Sequence, residues 1–135
     1  SEVQFILAEA AQRGWITGNA QTFYEEGVTS NFEYWGVDLP ADYLTRTGVA
    51  FDNSLETIMT QKYINLFYTD YQGFIEYKRT GFPATIAPGP DAFYDVYPSR
   101  FEYPSNEESL NNANYTEAAN RIGGDQITTK VWWEN

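Results

Sequence analysis

The amino-acid sequence predicts a mainly α protein, built from a helical hairpin, further packed helices and long aromatic, proline-rich loops. Apolar residues recur at helical spacing in three segments, 2–13, 19–35 and 55–79. The first and third of these segments also carry capping signals at their ends. Five of the six prolines lie in one further segment, 80–104, which is therefore predicted to be a long loop.

Length and composition indicate one domain over 1–135 and exclude several chemistries. The chain has 135 residues, with no His and no Cys. Thiol catalysis, Ser-His-Asp catalysis, zinc sites and haem ligation are therefore excluded, and no cofactor is expected. Because the net charge is −11, nucleic acid and anionic membrane surfaces would be repelled.

The first two predicted helices form a hairpin. In the first helix an apolar face is predicted from Val3, Ile6 and Leu7, with Ser1 as cap and Gly14 as left-handed stop. A connection of about four residues leads to the second helix, which favours close packing of the pair. The pair resembles one tetratricopeptide-type unit, whose small and aromatic positions are occupied by Leu7, Ala8, Ala20, Tyr24 and Gly27.

The third predicted helix is the main structural support, with a bend near Gly73. Asn53 is predicted to cap it, with Glu56 three residues later completing a capping box. Helical spacing then predicts a buried stripe of Leu55, Ile58, Met59, Tyr63, Leu66 and Phe67.

The remainder of the chain contains shorter elements. Ser105 and Glu108 have capping-box spacing, which predicts a short helical turn. A further helix is predicted over 115–122, and the tail 127–135 is β-prone.

No catalytic or metal-binding residue is predicted. Two carboxylates can hydrolyse glycosides without His or Cys, and the adjacent pairs Glu25–Glu26 and Glu107–Glu108 are the candidates. However, adjacent residues on a helix point in different directions, so these acids are expected on solvated faces. No set of acidic residues has the alternating oxygen-ligand spacing of a calcium loop.

The aromatic content, 18% of the chain, favours binding over catalysis. Phe93, Tyr94 and Tyr97 lie within five residues in the proline-rich segment. Faces of aromatic rings stack on sugar rings, so these three are the candidate ligand-binding residues. The alternative is that they pack back onto the third helix.

Several stretches together resemble the C-terminal part of the SusD/RagB family, in its SusD-like lipoprotein branch. They follow one another across nearly the whole chain. The stretches are EVQFILAEAAQRGW (2–15), AQTFYEEGVTSNFEYWGV (20–37), LETIMTQKYINLFYTDYQGFIEYKRTGFP (55–83), YPSRFEYPSNEESLNNANY (97–115) and GGDQITTKVWW (123–133).

This resemblance implies a helical, non-catalytic lipoprotein at the outer-membrane cell surface of Bacteroidetes-type bacteria. Such a protein captures an oligosaccharide or other nutrient and delivers it to a SusC-like TonB-dependent transporter. The chain is then expected to be the C-terminal segment of a larger protein, whose signal and lipid anchor lie outside this sequence. The alternative is a helical interaction module that contacts the transporter or a peptide and binds no sugar itself.

Overall fold

The computed structural model describes residues 1–134, and its regular elements are helices. No strand is formed within these residues, so the mainly α fold class is confirmed. The tetratricopeptide-like detail stays a prediction. The helices are α1 (Glu2–Gln12), α2 (Ala20–Trp35), α3 (Leu55–Asn65), α4 (Gln72–Thr80), α5 (Ser105–Leu110) and α6 (Asn112–Ile122), with a 3₁₀ turn at Tyr43–Thr45.

The chain divides into two compact units, Ser1–Thr85 and Ile86–Asn135. The first contains α1 to α4 and the second contains α5 and α6. Two such units can belong to one domain, so the single-domain organisation over 1–135 stays a prediction.

The core of the first unit lies between α1, α2 and α3. It consists of the fully buried residues Phe5, Ala8, Tyr24, Val28, Ile58 and Met59. The Phe5 and Tyr24 rings meet edge to face, with centroids 6.2 Å apart. The Tyr24 hydroxyl donates to the carbonyl of Val49, which fixes the connector between α2 and α3. Burial raises the pKa of Tyr24, so this donor keeps its proton.

The buried face of α1 differs from the predicted one. Phe5, Ala8 and Glu9 face the core, whereas Val3 and Ile6 are exposed and Leu7 is half-buried. The hydrophobic spacing failed here because one of the buried residues is a carboxylate, which a pattern of apolar residues cannot include.

The predicted third helix is two helices, which corrects the continuous segment 55–79. Between α3 and α4, Tyr68 and Asp70 adopt positive φ angles of 67° and 54°. A left-handed residue cannot continue a right-handed helix, so the chain leaves the helix at Leu66. Thr69 reinforces this break, because its backbone N–H and its hydroxyl both donate to the carbonyl of Leu66.

The predicted cap of α3 was wrong by one residue. Ser54 is the N-cap, and its hydroxyl oxygen accepts from the backbone N–H of Thr57 at 3.1 Å. Asn53 instead has a φ of 62°, in the left-handed region that Asn tolerates better than most residues. The capping box of Asn53 with Glu56 is therefore not formed.

In the second unit, α6 begins three residues earlier than predicted and ends at the predicted stop, Gly123. Ser105 is the first residue of α5, and Pro104 occupies the cap position, so the Ser105–Glu108 box does not form. Over 127–134 the β-prone tail forms turns and no strand, and its last residue, Asn135, lies outside the described residues.

The first prediction concerns Gly27 of α2, which packs directly against the Phe5 ring of α1. A Cβ at Gly27 would lie 2.9 Å from Cε1 of Phe5. Gly→Ala in a helix is normally stabilising by about 1 kcal/mol. We expect Gly27→Ala to destabilise instead, by about 1–3 kcal/mol in urea unfolding, because the fully buried Phe5 ring has no room to move.

The matched control is Gly73→Ala in α4. Its Cβ would lie 3.3 Å from the edge of the Tyr63 ring, which is partly exposed and free to shift. We expect a change within about 0.5 kcal/mol. If Gly27→Ala and the wild-type protein unfolded at the same urea concentration, α1 and α2 would not be in close contact at this position.

The second prediction concerns the cap of α3. Ser54→Ala removes the acceptor for the N–H of Thr57 and should cost about 1 kcal/mol in chemical unfolding. Asn53→Gly should leave stability nearly unchanged, because glycine adopts the left-handed conformation freely. A Ser54→Ala protein as stable as wild type would place the cap elsewhere.

Candidate functional site

A concave surface in the first unit, which we call the aromatic cleft, has a volume of about 390 Å³. It is formed by the end of α2, the 3₁₀ turn and the end of α3. All of its lining residues are uncharged. They are Asn31, Phe32, Trp35, Val37, Tyr43, Gln61, Tyr63, Ile64 and Phe67.

Trp35 stands at the edge of this cleft because α2 ends directly after it. Gly36 adopts a φ of 64°, and its N–H bonds back to the carbonyls of the last turn. Trp35 is therefore in the last turn of the helix, where its ring is half-exposed. Inside the cleft, Phe32 packs edge to face on Tyr43, with ring centroids 5.0 Å apart.

The polar groups of the residues that line the aromatic cleft are two amides, two phenols and the indole N–H of Trp35. The Tyr43 hydroxyl donates to Oε1 of Gln61 at 3.2 Å. The side-chain oxygen of Asn31 is buried and has no hydrogen-bond partner within the described part of the chain. An unsatisfied buried acceptor costs about 1–3 kcal/mol of folding free energy. The Asn31 oxygen is therefore available to accept a hydrogen bond from a bound molecule.

A second cleft of about 380 Å³ shares Trp35 and Phe67 with the first. Phe67 contacts Tyr68 with ring centroids 4.4 Å apart, and Tyr68 lies 6.5 Å from Trp35. Tyr34 also stacks edge-on against Trp35, at 5.3 Å. Trp35 and Phe67 thus line both clefts, and Tyr68 contacts both of their rings.

Two residues of this region were predicted to be core and are not. Tyr63 is 38% exposed and Phe67 is 65% exposed. Phe67 lies beyond the end of α3, so helical spacing does not apply to it. On α3 itself, Gln61 and Lys62 take the buried face instead of Tyr63.

The other predicted core residues lie as follows. Ala8, Tyr24, Gly27, Ile58 and Met59 are buried, while Leu7 and Ala20 are half-buried. The partner of Gly27 is Phe5, which the sequence reasoning had not placed in the core.

A network of charges lies beside this core. Glu9 is only 5% exposed, and its carboxylate accepts two hydrogen bonds from Arg79, at 2.8 and 2.7 Å. Arg13 donates to the same carboxylate at 2.9 Å. Arg79 also bonds Glu76 at 2.8 Å, and Glu76 pairs with the buried Lys62 at 3.0 Å. The network therefore joins α1, α3 and α4.

These cations hold both carboxylates in the ionised form. Burial alone would raise the pKa of Glu9, but the hydrogen bonds and charge of Arg79, followed by those of Arg13, outweigh it and lower the pKa. For Glu76, burial is likewise outweighed by Arg79 and Lys62, and its pKa is also lowered. Neither group is suited to act as a general acid, which needs a raised pKa.

The third prediction follows from the direction of the Glu9 shift. Because its folded-state pKa lies below the ordinary value of 4.5, its stabilising effect is complete above pH 4.5 and is lost as pH falls through the folded-state pKa. Glu9→Gln should cost about 3 kcal/mol at pH 7, the lower end for a buried pair, since Arg79 is partly exposed.

Urea unfolding between pH 7 and pH 3 tests this. Glu9→Gln should also lose less stability on acidification than wild type does, because one titrating carboxylate is gone. Glu33→Gln, at an exposed position on α2, is the control and should match wild type at pH 7. Parallel pH profiles for Glu9→Gln and wild type would contradict the predicted linkage.

The candidate ligand residues of the proline-rich segment lie in the second unit. Phe93 is 89% exposed, and its ring meets that of Tyr94 edge to face at 4.9 Å. Tyr97 is half-buried, and its hydroxyl donates to the carbonyl of Ala87 at 3.0 Å. The structure therefore brings Phe93 and Tyr94 together at the surface, while Tyr97 ties down the loop.

The second unit has its own cleft, of about 350 Å³, between Tyr103 and Tyr115. Nearby, Asp125 accepts from Arg100 at 2.6 Å and from the backbone N–H of Tyr103. Burial opposes ionisation of Asp125, but Arg100 and the N–H of Tyr103 outweigh it, so its pKa is lowered. This ion pair holds the chain entering α5 against the turn that follows α6.

Neither a metal cluster nor a membrane span is found in residues 1–134. No group of three or more Asp or Glu side chains lies close enough together there to hold a metal ion. None of the helices is both long and apolar enough to cross a membrane. The described helices and the clefts between them define a helical scaffold with aromatic, concave surfaces.

Comparison with known proteins places this scaffold in a family. The family profile described as "Starch-binding associating with outer membrane" matches residues 1–104, more than half of the chain. The chain belongs to this SusD-like family, and the resemblance seen in the sequence is confirmed. No curated protein matches the chain.

Solved structures agree with this assignment. A SusD-like protein of Bacteroidetes is 29% identical to this chain, with a TM-score of 0.82. The match covers 99% of this chain and 29% of the chain of that protein. A SusD homologue from Bacteroides thetaiotaomicron is 29% identical with a TM-score of 0.78, over 98% of this chain and 37% of its own. A chitin-binding protein is 33% identical with a TM-score of 0.70, over 97% of this chain and 32% of its own. The chain thus spans about a third of the length of these structures.

Sequence reasoning did not identify the aromatic cleft. Its lining comes from α2, the 3₁₀ turn and α3, which are separated along the chain. The one local signal was the pair Trp35–Gly36, which places a large ring in the last turn of a helix.

Proposed function

We propose that this chain is part of a non-catalytic nutrient-binding protein at the outer-membrane cell surface. It holds an oligosaccharide and passes it unchanged to a SusC-like TonB-dependent transporter. The observation that carries this proposal is the SusD-like match over residues 1–104, whose description names starch binding and the outer membrane. The chain would be the C-terminal segment of a larger, lipid-anchored protein.

Surface chemistry supports binding without catalysis. One cleft in each unit has aromatic rings next to amide and phenol groups. Aromatic rings can stack on sugar rings, and the polar groups can form hydrogen bonds with sugar hydroxyls. The carboxylates Glu9 and Glu76 are occupied by cations and have lowered pKa values. A glycosidase needs a carboxylic acid that keeps its proton near neutral pH.

Phe93 and Tyr94 are the first place at which to test ligand contact. The fourth prediction is that changing both to Ala reduces retention of the protein on a starch or chitin column. The melting midpoint should stay the same, because Phe93 is almost fully exposed and packs mainly on Tyr94. A parallel assay of released sugar should show no product with either protein.

The control is Phe101→Ala, another almost fully exposed phenylalanine of the second unit. It should retain wild-type binding. A fall in the melting midpoint of the Phe93 and Tyr94 variant, with unchanged retention, would assign these rings to packing. Release of product by the wild-type protein would overturn the non-catalytic proposal.

The alternative function is a helical interaction module that contacts the transporter or a peptide and binds no sugar. It is favoured by bulky aromatic residues that face solvent in the second unit, such as Phe101 and Trp132. Exposed rings of this size are typical of protein interfaces. Retention by a transporter affinity column, without retention on any glycan, would support this alternative.

A further inference from the structure

We propose that the aromatic cleft is a binding site for an uncharged oligosaccharide, with Trp35 and Phe67 as its stacking surface. This inference rests on the proposed function, because it assumes that the chain binds a glycan. It goes further by giving the location of the site, the residues that form it and the charge of the ligand.

The size and shape of the cleft fit a small ligand. Its volume of about 390 Å³ lies near the lower end of the range for ligand sites, roughly 300–1,000 Å³. The half-exposed Trp35 ring and the exposed Phe67 ring border it. Flat rings at the border of a shallow cleft suit the apolar C–H face of a sugar, which stacks on them.

The polar groups of the cleft fit the hydroxyls of a sugar. Gln61 and Tyr43 already bond to each other at 3.2 Å, which orients both groups within the lining. Asn31 also lines the cleft, and its oxygen has no partner within residues 1–134. Rotation of this amide toward the cleft lets a ligand hydroxyl donate to it. A purely apolar ligand would leave the Asn31 oxygen without a hydrogen-bond donor.

Charge selects against acidic glycans. Every lining residue of the cleft is uncharged. Arg46 lies beside the lining, with its guanidinium 5.6 Å from the centroid of the Tyr43 ring, but it is paired with Asp42 at 2.8 Å. The protein as a whole carries a net charge of −11, which repels anionic ligands on approach. Three other cations of the first unit, Arg13, Lys62 and Arg79, are engaged in the Glu9–Glu76 network.

The backbone conformation of Tyr68, next to the cleft, also supports the assignment of a binding site. Tyr68 is a bulky residue in the left-handed region, which is uncommon, and it packs on Phe67. A strained conformation of this kind persists where the surrounding structure holds it, and such residues cluster at binding sites. Here the strain ends α3 early and leaves the Phe67 ring at the surface.

Calorimetric titration of the 135-residue chain tests the proposal. The probes are maltoheptaose and chitohexaose, which are neutral, and an oligogalacturonate, which is anionic. We expect binding of at least one neutral probe and none of the anionic one. Trp35→Ala and Phe67→Ala should each weaken neutral binding about tenfold, as expected for the loss of one stacking ring.

The matched control is Trp132→Ala, the same change at a tryptophan that is 95% exposed and lies outside the cleft. It should bind as wild type does. Because Phe67 lies outside any helix and is largely exposed, Phe67→Ala keeps the test valid even if Trp35→Ala unfolds. Asn31→Ala should weaken binding without changing the preference for neutral probes.

The outcomes separate this inference from the proposed function. Glycan binding that is unchanged in both Trp35→Ala and Phe67→Ala would overturn the cleft assignment and leave the proposed function standing. Preferential binding of the oligogalacturonate would overturn the ligand class. Binding of no glycan by wild type would overturn both. A wild-type dimer lost in Trp35→Ala, with glycan binding unchanged, would assign the cleft to a second copy of the chain.

Discussion

The first unit depends on the pairing of Glu9 with Arg79. A carboxylate that is 5% exposed is costly to bury unless cations and hydrogen bonds replace its water. Arg79 supplies two of these bonds from α4, and Arg13 supplies a third from the end of α1. Since Glu9 lies on the same face of α1 as Phe5 and Ala8, the pairing also decides which face of α1 enters the core.

The position of Phe67, one of the rings that line the aromatic cleft, is related to this network. Arg79 holds Glu76, and Glu76 holds Lys62, so α4 is tied to both α1 and α3. The Lys62–Glu76 ion pair therefore holds α3 against α4, while the chain that connects these two helices is not helical. Phe67 lies in that connection and contacts Tyr68. The Phe67 ring is thus presented by a connection whose two flanking helices are joined by the Lys62–Glu76 ion pair.

The sequence predicted the existence of the helices better than their faces or breaks. Local spacing located α1 and α2 to within a residue or two, because amphipathic periodicity is a local property. The face of α1 was missed because Arg79, the partner that makes Glu9 burial possible, is 70 residues away. The break after α3 contains neither Gly nor Pro, so its left-handed Tyr68 had no signal in composition. Trp35 and Phe67 line the same cleft only because of tertiary packing, which no local pattern records.

Half of the cations of this acidic chain are used in ion pairs with carboxylates that are largely buried. Only eight Lys and Arg residues are present against nineteen Asp and Glu. Arg13, Lys62, Arg79 and Arg100 form ion pairs within their own units, so the excess of negative charge remains for the surface. That excess keeps exposed aromatic surfaces soluble, because molecules of like charge repel one another. The same excess repels anionic molecules in general. The stability of the core and the negative charge of the surface therefore depend on the same few Lys and Arg residues.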